Sequence, residues 1–159
     1  MSVEPEYAEQ RVVVPAPVVP FDEEGARRLA RAYWDEVARF SRGLVRPRTT
    51  TDGTELMLLR VLPLLRFGPA HTTSSPHALE CRLPIRGGLL ASEPGGHLLL
   101  AQRGEDQVEL LLEVQGYRPR LASAGRLARI RRRLFRALQV PLHDGVGRRF
   151  VARAVRGDL

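Results

Sequence analysis

The sequence predicts an α+β fold: an antiparallel β-meander packed against an N-terminal helix and a long Arg-rich C-terminal helix. Three observations carry that prediction. Apolar residues alternate through much of residues 54–117, the connections there are short and glycine-bearing, and stripes at helical spacing flank the block. Parallel neighbours need a crossover of roughly a dozen residues or more, so strands joined this closely run antiparallel.

The clearest strand is residues 107–115. Val108, Leu110, Leu112 and Val114 share one face, and Gln107, Glu109, Leu111, Glu113 and Gln115 share the other. That is a period of two, which a helix would smear. Residues 78–85 alternate as well, with Leu79, Cys81, Leu83 and Ile85 set against Glu80 and Arg82. Pro84 has no N–H to give, which predicts that this end lies at an edge or leaves the sheet. Residues 97–103 (HLLLAQR) read as a short apolar strand. Residues 54–67 are apolar on both faces, interrupted by Arg60 and Arg66. Pro63 argues against a helix there and fits either one bent strand with a bulge or two strands. Residues 86–88, 93–96 and 103–106 carry the glycines and proline of tight connections.

Residues 1–20 read as an extended N-terminal segment, polar and acidic at first, with an edge strand at Val12, Val13 and Val14. Pro15, Pro17 and Pro20 then favour an extended path leading into one α+β domain over residues 21–159. A helix is expected over residues 22–43. Asp22 is its N-cap, Glu23 and Glu24 suit the positive end of the dipole, and Gly43 is the expected C-cap. Leu29, Tyr33, Val37 and Phe40 form its stripe, with Trp34 beside it. Residues 48–53 and 68–76 read as loops.

The C-terminal helical region is expected over residues 123–156. Leu127, Ile130, Leu134 and Leu138 make one stripe. After Pro141, which kinks or interrupts the helix, Leu142, Val146, Phe150 and Ala154 make another, weakened by Gly145 and Gly147.

The chain is lopsided in charge. All 25 basic residues are arginine, and the formal net charge is +7. Residues 118–159 hold 12 arginines against Asp144 and Asp158, whereas residues 1–117 hold 13 against 16 acids. The all-arginine composition itself is what codon bias in a GC-rich genome produces. The uneven distribution is the more informative observation, because it shapes which partners can approach.

Several function classes find no support. His71, His77, His97 and His143 lack metal-ligand spacing, and Cys81 is the one cysteine, so no metal site and no cofactor is expected. Cys81 falls on the apolar face of its strand, which makes it a core residue rather than a nucleophile. The His143 and Asp144 pair reads as a helix-start cap, not an acid–base pair. Ser74 and Ser75 lack an elbow context, and Glu109 with Glu113 reads as a solvated strand face. No catalytic residue is assigned. A single cysteine suits a reducing compartment. The N-terminus lacks a signal-peptide pattern and no run reaches the roughly 18 apolar residues of a membrane span, so a soluble cytoplasmic protein is expected.

The element order is a short N-terminal strand, a helix, an antiparallel meander and a long C-terminal helix. It resembles the helix-grip layout of the START-like (SRPBCC, Bet v 1-type) superfamily over most of residues 11–140. The meander has fewer clear strands than that layout, and the segment after Pro141 is extra. The resemblance implies a curved sheet closing with the C-terminal helix around an apolar cavity. The expected function is then non-catalytic binding of a small hydrophobic or lipid-like ligand. Trp34, Arg60, His97, Tyr117, Leu127, Ile130 and Leu134 are the expected ligand-binding residues. A different class is the alternative: an interaction module gripping nucleic acid or an anionic membrane surface through Arg126, Arg129, Arg131, Arg132, Arg133 and Arg136. A cyclase- or hydrolase-like enzyme on the same scaffold would need a titratable pair facing the cavity.

Overall fold

The computed structural model describes residues 6–91, 94–117 and 140–159. Strand β1 (Glu6–Val14) precedes helix α1 (Glu23–Phe40). Seven strands follow: β2 (Val45–Thr50), β3 (Gly53–Leu58), β4 (Leu62–Phe67), β5 (His71–Ser75), β6 (Ala78–Gly87), β7 (His97–Arg103) and β8 (Val108–Tyr117). Helix α2 (Val140–Val155) closes the described chain. All eight strands join one antiparallel sheet in the order β1-β8-β7-β6-β4-β3-β2, with β5 also paired to β6.

β4 and β5 occupy successive stretches of the same edge of β6. Phe67 opposes Ile85, and Thr72 opposes Cys81. The two read as one strand broken at residues 68–70, where Pro69 withholds a donor. The expected loop at residues 68–76 therefore contains a strand. So does the expected loop at residues 48–53, which is the tip of the β2–β3 hairpin. β2 (VRPRTT) and β5 (HTTSS) carry no apolar alternation, and β5 is exposed throughout. Their neighbours hold them as strands by supplying backbone partners.

Residues 54–67 form two strands. The turn between them has Leu59 at φ 51° and Arg60 at φ 62°, and the Val61 N–H donates to the Leu58 carbonyl at 3.0 Å. Left-handed angles at both central positions make this a type I′ turn, which usually takes Asn or Gly. The register shifts opposite Leu64, beside Pro63, so a bulge is present as well. Pro84 does not end β6. It sits opposite His97, and its carbonyl accepts the Gly68 N–H at 2.8 Å.

The sheet has an apolar inner face and a charged outer face. Three cross-strand rows build the inner one: Leu79, Gln102, Leu110 and Val12; Cys81, Leu100, Leu112 and Gln10; Leu83, Leu98, Val114 and Ala8. Cys81 is buried there, as its parity required. The outer face carries Glu9, Arg11, Glu80, Arg82, Arg103, Glu109 and Glu113 around a small buried trio, Leu99, Ala101 and Leu111.

Asp22 caps α1 as its sequence required: its Oδ1 accepts the Gly25 N–H at 2.8 Å. Gly25 cannot be larger, because a Cβ there would stand 1.8 Å from the Pro20 carbonyl oxygen. The other end corrects the expectation. The C-cap is Ser41, and Gly43 lies two residues beyond it. The Gly43 N–H reaches the Ala38 carbonyl at 2.7 Å and the Arg42 N–H reaches that of Arg39 at 3.0 Å, a Schellman closure. Arg42 takes the left-handed conformation at φ 53°. The stripe Leu29, Tyr33 and Val37 is buried against the inner face, along with Trp34.

α2 packs against α1 and β1 through Val146, Phe150 and Ala154, three members of the expected stripe. His143 and Asp144 lie within this helix rather than capping its start. An aromatic chain links the layers. Phe150 meets Tyr33 at 6.0 Å, Tyr33 meets Trp34 at 5.0 Å, and Trp34 meets Phe67 of β4 at 5.2 Å between ring centroids.

Candidate functional site

The inner face holds few groups capable of chemistry. Gln102 is the polar residue at its centre and is fully buried. Its Oε1 accepts the N–H groups of Val18 (2.8 Å) and Val19 (3.2 Å), and its Nε2 donates to the Val19 carbonyl at 2.8 Å. The amide is thus spent on pinning the proline-flanked segment after β1 across the end of the sheet. Burial pushes the Cys81 thiol up, only partly offset by a hydrogen bond with Thr72, and so works against the thiolate a nucleophile needs. Burial likewise pushes the Tyr33 phenol up, well beyond the neutral range. Glu36 is buried on α1 and paired at 3.3 Å with Arg153 of α2. That ion pair joins two helices.

The residues singled out from sequence fall in different places. Trp34 is a core residue wedged between Tyr33 and Phe67. Arg60 is exposed in the β3–β4 turn. His97 opens β7 in the same alternation as Leu99 and Ala101, which puts it on the outer face, half-buried, with Nε2 4.0 Å from Glu113. Burial first, and Arg82 next, lower its pKa; Glu113 opposes them. Trp34, Arg60 and His97 are therefore not brought together. Tyr117 ends β8, and its side chain lies outside the described ones. Leu127, Ile130 and Leu134, with Arg126, Arg129, Arg131, Arg132, Arg133 and Arg136, lie outside the described residues.

Two adjoining grooves open on the surface near the end of α1. One, of about 380 Å³, is lined by Asp35, Ala38, Arg39, Arg42, Gly43, Arg46 and Pro47. The other, of about 240 Å³, is lined by Arg46, Pro47, Arg48, Met57 and Arg60. They share Arg46 and Pro47, so five arginines line the two neighbouring depressions. Sequence reading missed this cluster because its members come from a helix end, a polar strand and a turn. It also missed Gln102, although its parity with Leu98 and Leu100 was a usable signal. Glu36 was similarly visible, four residues from Ala32 and three from Tyr33 on the buried side of α1.

The N-terminal strand, helix and antiparallel meander follow the element order of a Bet v 1-like helix-grip fold as far as residue 117; the C-terminal helix of that layout, expected over residues 123–139, lies outside the described residues. The strand shortfall seen in the sequence is resolved by β2, β5 and the splitting of residues 54–67. No protein-family model matches the chain, and no curated protein does. Among solved structures, the chain is similar to the Zhui aromatase/cyclase from Streptomyces sp. R1128. The identity is 12% and the TM-score 0.39, over 98% of this chain and 92% of that one. It is also similar to Ara h 8.0201, at 9% identity and a TM-score of 0.34, over 94% of this chain and 99% of that one.

Proposed function

We propose that the protein binds a small hydrophobic or lipid-like ligand, without catalysis, between the inner face of the sheet and the C-terminal part of the chain. The observation that carries this reading is the inner face itself. Its three cross-strand rows are apolar apart from the half-buried Gln10 and the central Gln102, whose amide is consumed by backbone bonds. Sites for apolar ligands have this character, with a few polar groups for orientation. Leu83, Leu98 and Val114 would form the sheet side of the site, and Leu127, Ile130 and Leu134 the side facing it.

The test is native mass spectrometry of the freshly purified chain, with organic extraction alongside. The expected result is an apolar adduct of defined mass, weakened by Ile130→Asp at unchanged melting temperature. A clean unliganded mass, with no uptake of a fluorescent apolar probe, would overturn the reading.

A further inference from the structure

We propose that the corner built from the end of α1, the start of β2 and the β3–β4 turn docks onto an anionic lipid bilayer surface. Four of the six exposed large apolar side chains of the described residues meet there. They are Leu44 (50% exposed), Leu59 (61%), Val61 (73%) and Leu62 (44%). The Leu59 N–H donates to the Leu44 carbonyl at 2.8 Å, and Leu62 pairs with Leu58, so they form one protruding tip.

The tip is costly to the folded state. Leu59 and Arg60 hold left-handed backbone that Asn or Gly would take with far less strain. In return, Leu59 and Val61 bury little. An exposed apolar cluster held on such backbone by the surrounding fold marks a surface that meets something outside the chain.

Charge decides what that something is. The arginine-lined depressions border the tip, and Arg39, Arg42, Arg46, Arg48 and Arg60 are all exposed. Arg48 is held by Glu55, which also takes Arg66. Among the described residues, Arg39, Arg42, Arg46 and Arg60 form no ion pair. Asp35 is the one acid lining the two grooves. A two-fold contact of this corner with a second copy would set these arginines against their own kind. Single-stranded nucleic acid would want stacking aromatics, and the grooves are lined by none; a duplex would take the arginines on its phosphates but offers no apolar layer for the tip. An anionic bilayer accepts both parts. The leucines and valine enter the boundary between headgroups and acyl chains, while the guanidinium groups lie on lipid phosphates. This inference does not rest on an enclosed ligand.

The test is flotation of the full chain with phosphatidylcholine vesicles, with and without phosphatidylglycerol. Three variants accompany it: Leu59→Asn with Val61→Ser, Arg42→Gln with Arg46→Gln, and Arg131→Gln with Arg132→Gln and Arg133→Gln. The first substitutes a residue that favours the turn geometry, so loss of binding cannot be put down to misfolding; melting curves confirm it. The expected result is partition onto the anionic vesicles only, weakened on the order of fivefold for each arginine removed at the corner. The apolar double variant should lose on the order of tenfold. Wild type that stays off anionic vesicles at low salt overturns the proposal. So does an apolar double variant that binds as well as wild type, or binding lost only in the Arg131, Arg132 and Arg133 variant. Self-association or nucleic-acid binding that the corner variants abolish, without vesicle binding, overturns it equally.

Discussion

Gln102 shows how much one side chain can organise. Its amide supplies partners for two N–H groups and one carbonyl of residues 18 and 19, inside an apolar layer where water is excluded. Gln102→Leu keeps the volume and removes all three bonds. We expect a loss of about 2–4 kcal/mol, since each buried backbone group left without a partner costs its desolvation. Urea unfolding monitored at Trp34 measures it, and an unchanged midpoint would show that water replaces the amide. Cys81 follows the opposite logic: its apolar setting suppresses the thiolate, so slow reaction with thiol reagents accords with a packing role.

Among the elements, α2 depends most on tertiary partners. Gly145 and Gly147 look like weaknesses in a helix, yet they are its points of closest approach. A Cβ on Gly145 would stand 2.2 Å from the Phe40 ring, and one on Gly147 would stand 2.7 Å from Gln10. The helix is tied to α1 by Phe150 against Tyr33 and by Arg153 against Glu36. Arg153→Met leaves the Glu36 carboxylate buried without its partner. The expected cost is about 2–3 kcal/mol, at the low end for a buried pair because Arg153 keeps contact with solvent. Glu36→Leu combined with Arg153→Met should recover most of it. A double-mutant cycle by thermal or urea unfolding gives the coupling, and additive losses would show that the two side chains act independently.

At the scale of the whole molecule, the two sheet faces answer differently to pH. The inner face responds only in alkali, where burial holds the Cys81 thiol protonated. The outer face carries His97, whose folded pKa lies below the usual 6.5 because of burial and Arg82, with Glu113 opposing. The unfolded chain therefore binds that proton more readily. Stability is full above the unfolded value and falls as pH drops through 6.5 toward the folded value. Glu55 adds a second step at lower pH. Hydrogen bonding from Arg48 holds its carboxyl below the usual 4.5, so its contribution is present above that value and lost as pH falls through the folded one. Melting temperature followed from pH 8 to 3 should decline in these two windows, and His97→Gln should flatten the first alone. A first window unchanged in His97→Gln would assign it elsewhere.

What the sequence by itself determined were the features set by local spacing. The alternation in residues 107–115 and 78–85 dictated which side chains face inward. The fourfold stripes chose the buried faces of both helices, and Asp22 started α1 where a cap must. These follow from periods of two and 3.6, which any short stretch displays. Tertiary structure alone decided the rest. β2 and β5 are strands because neighbours complete their backbone bonds, not because VRPRTT or HTTSS prefer to be. His97 is turned to the outer face by a register that Leu98, Leu99 and Leu100 left ambiguous. Glu36 and Arg153 are 117 residues apart in the chain and meet only when the helices pack. The arginine-lined corner likewise gathers residues from three elements, since proximity across the fold leaves no periodic trace in the sequence.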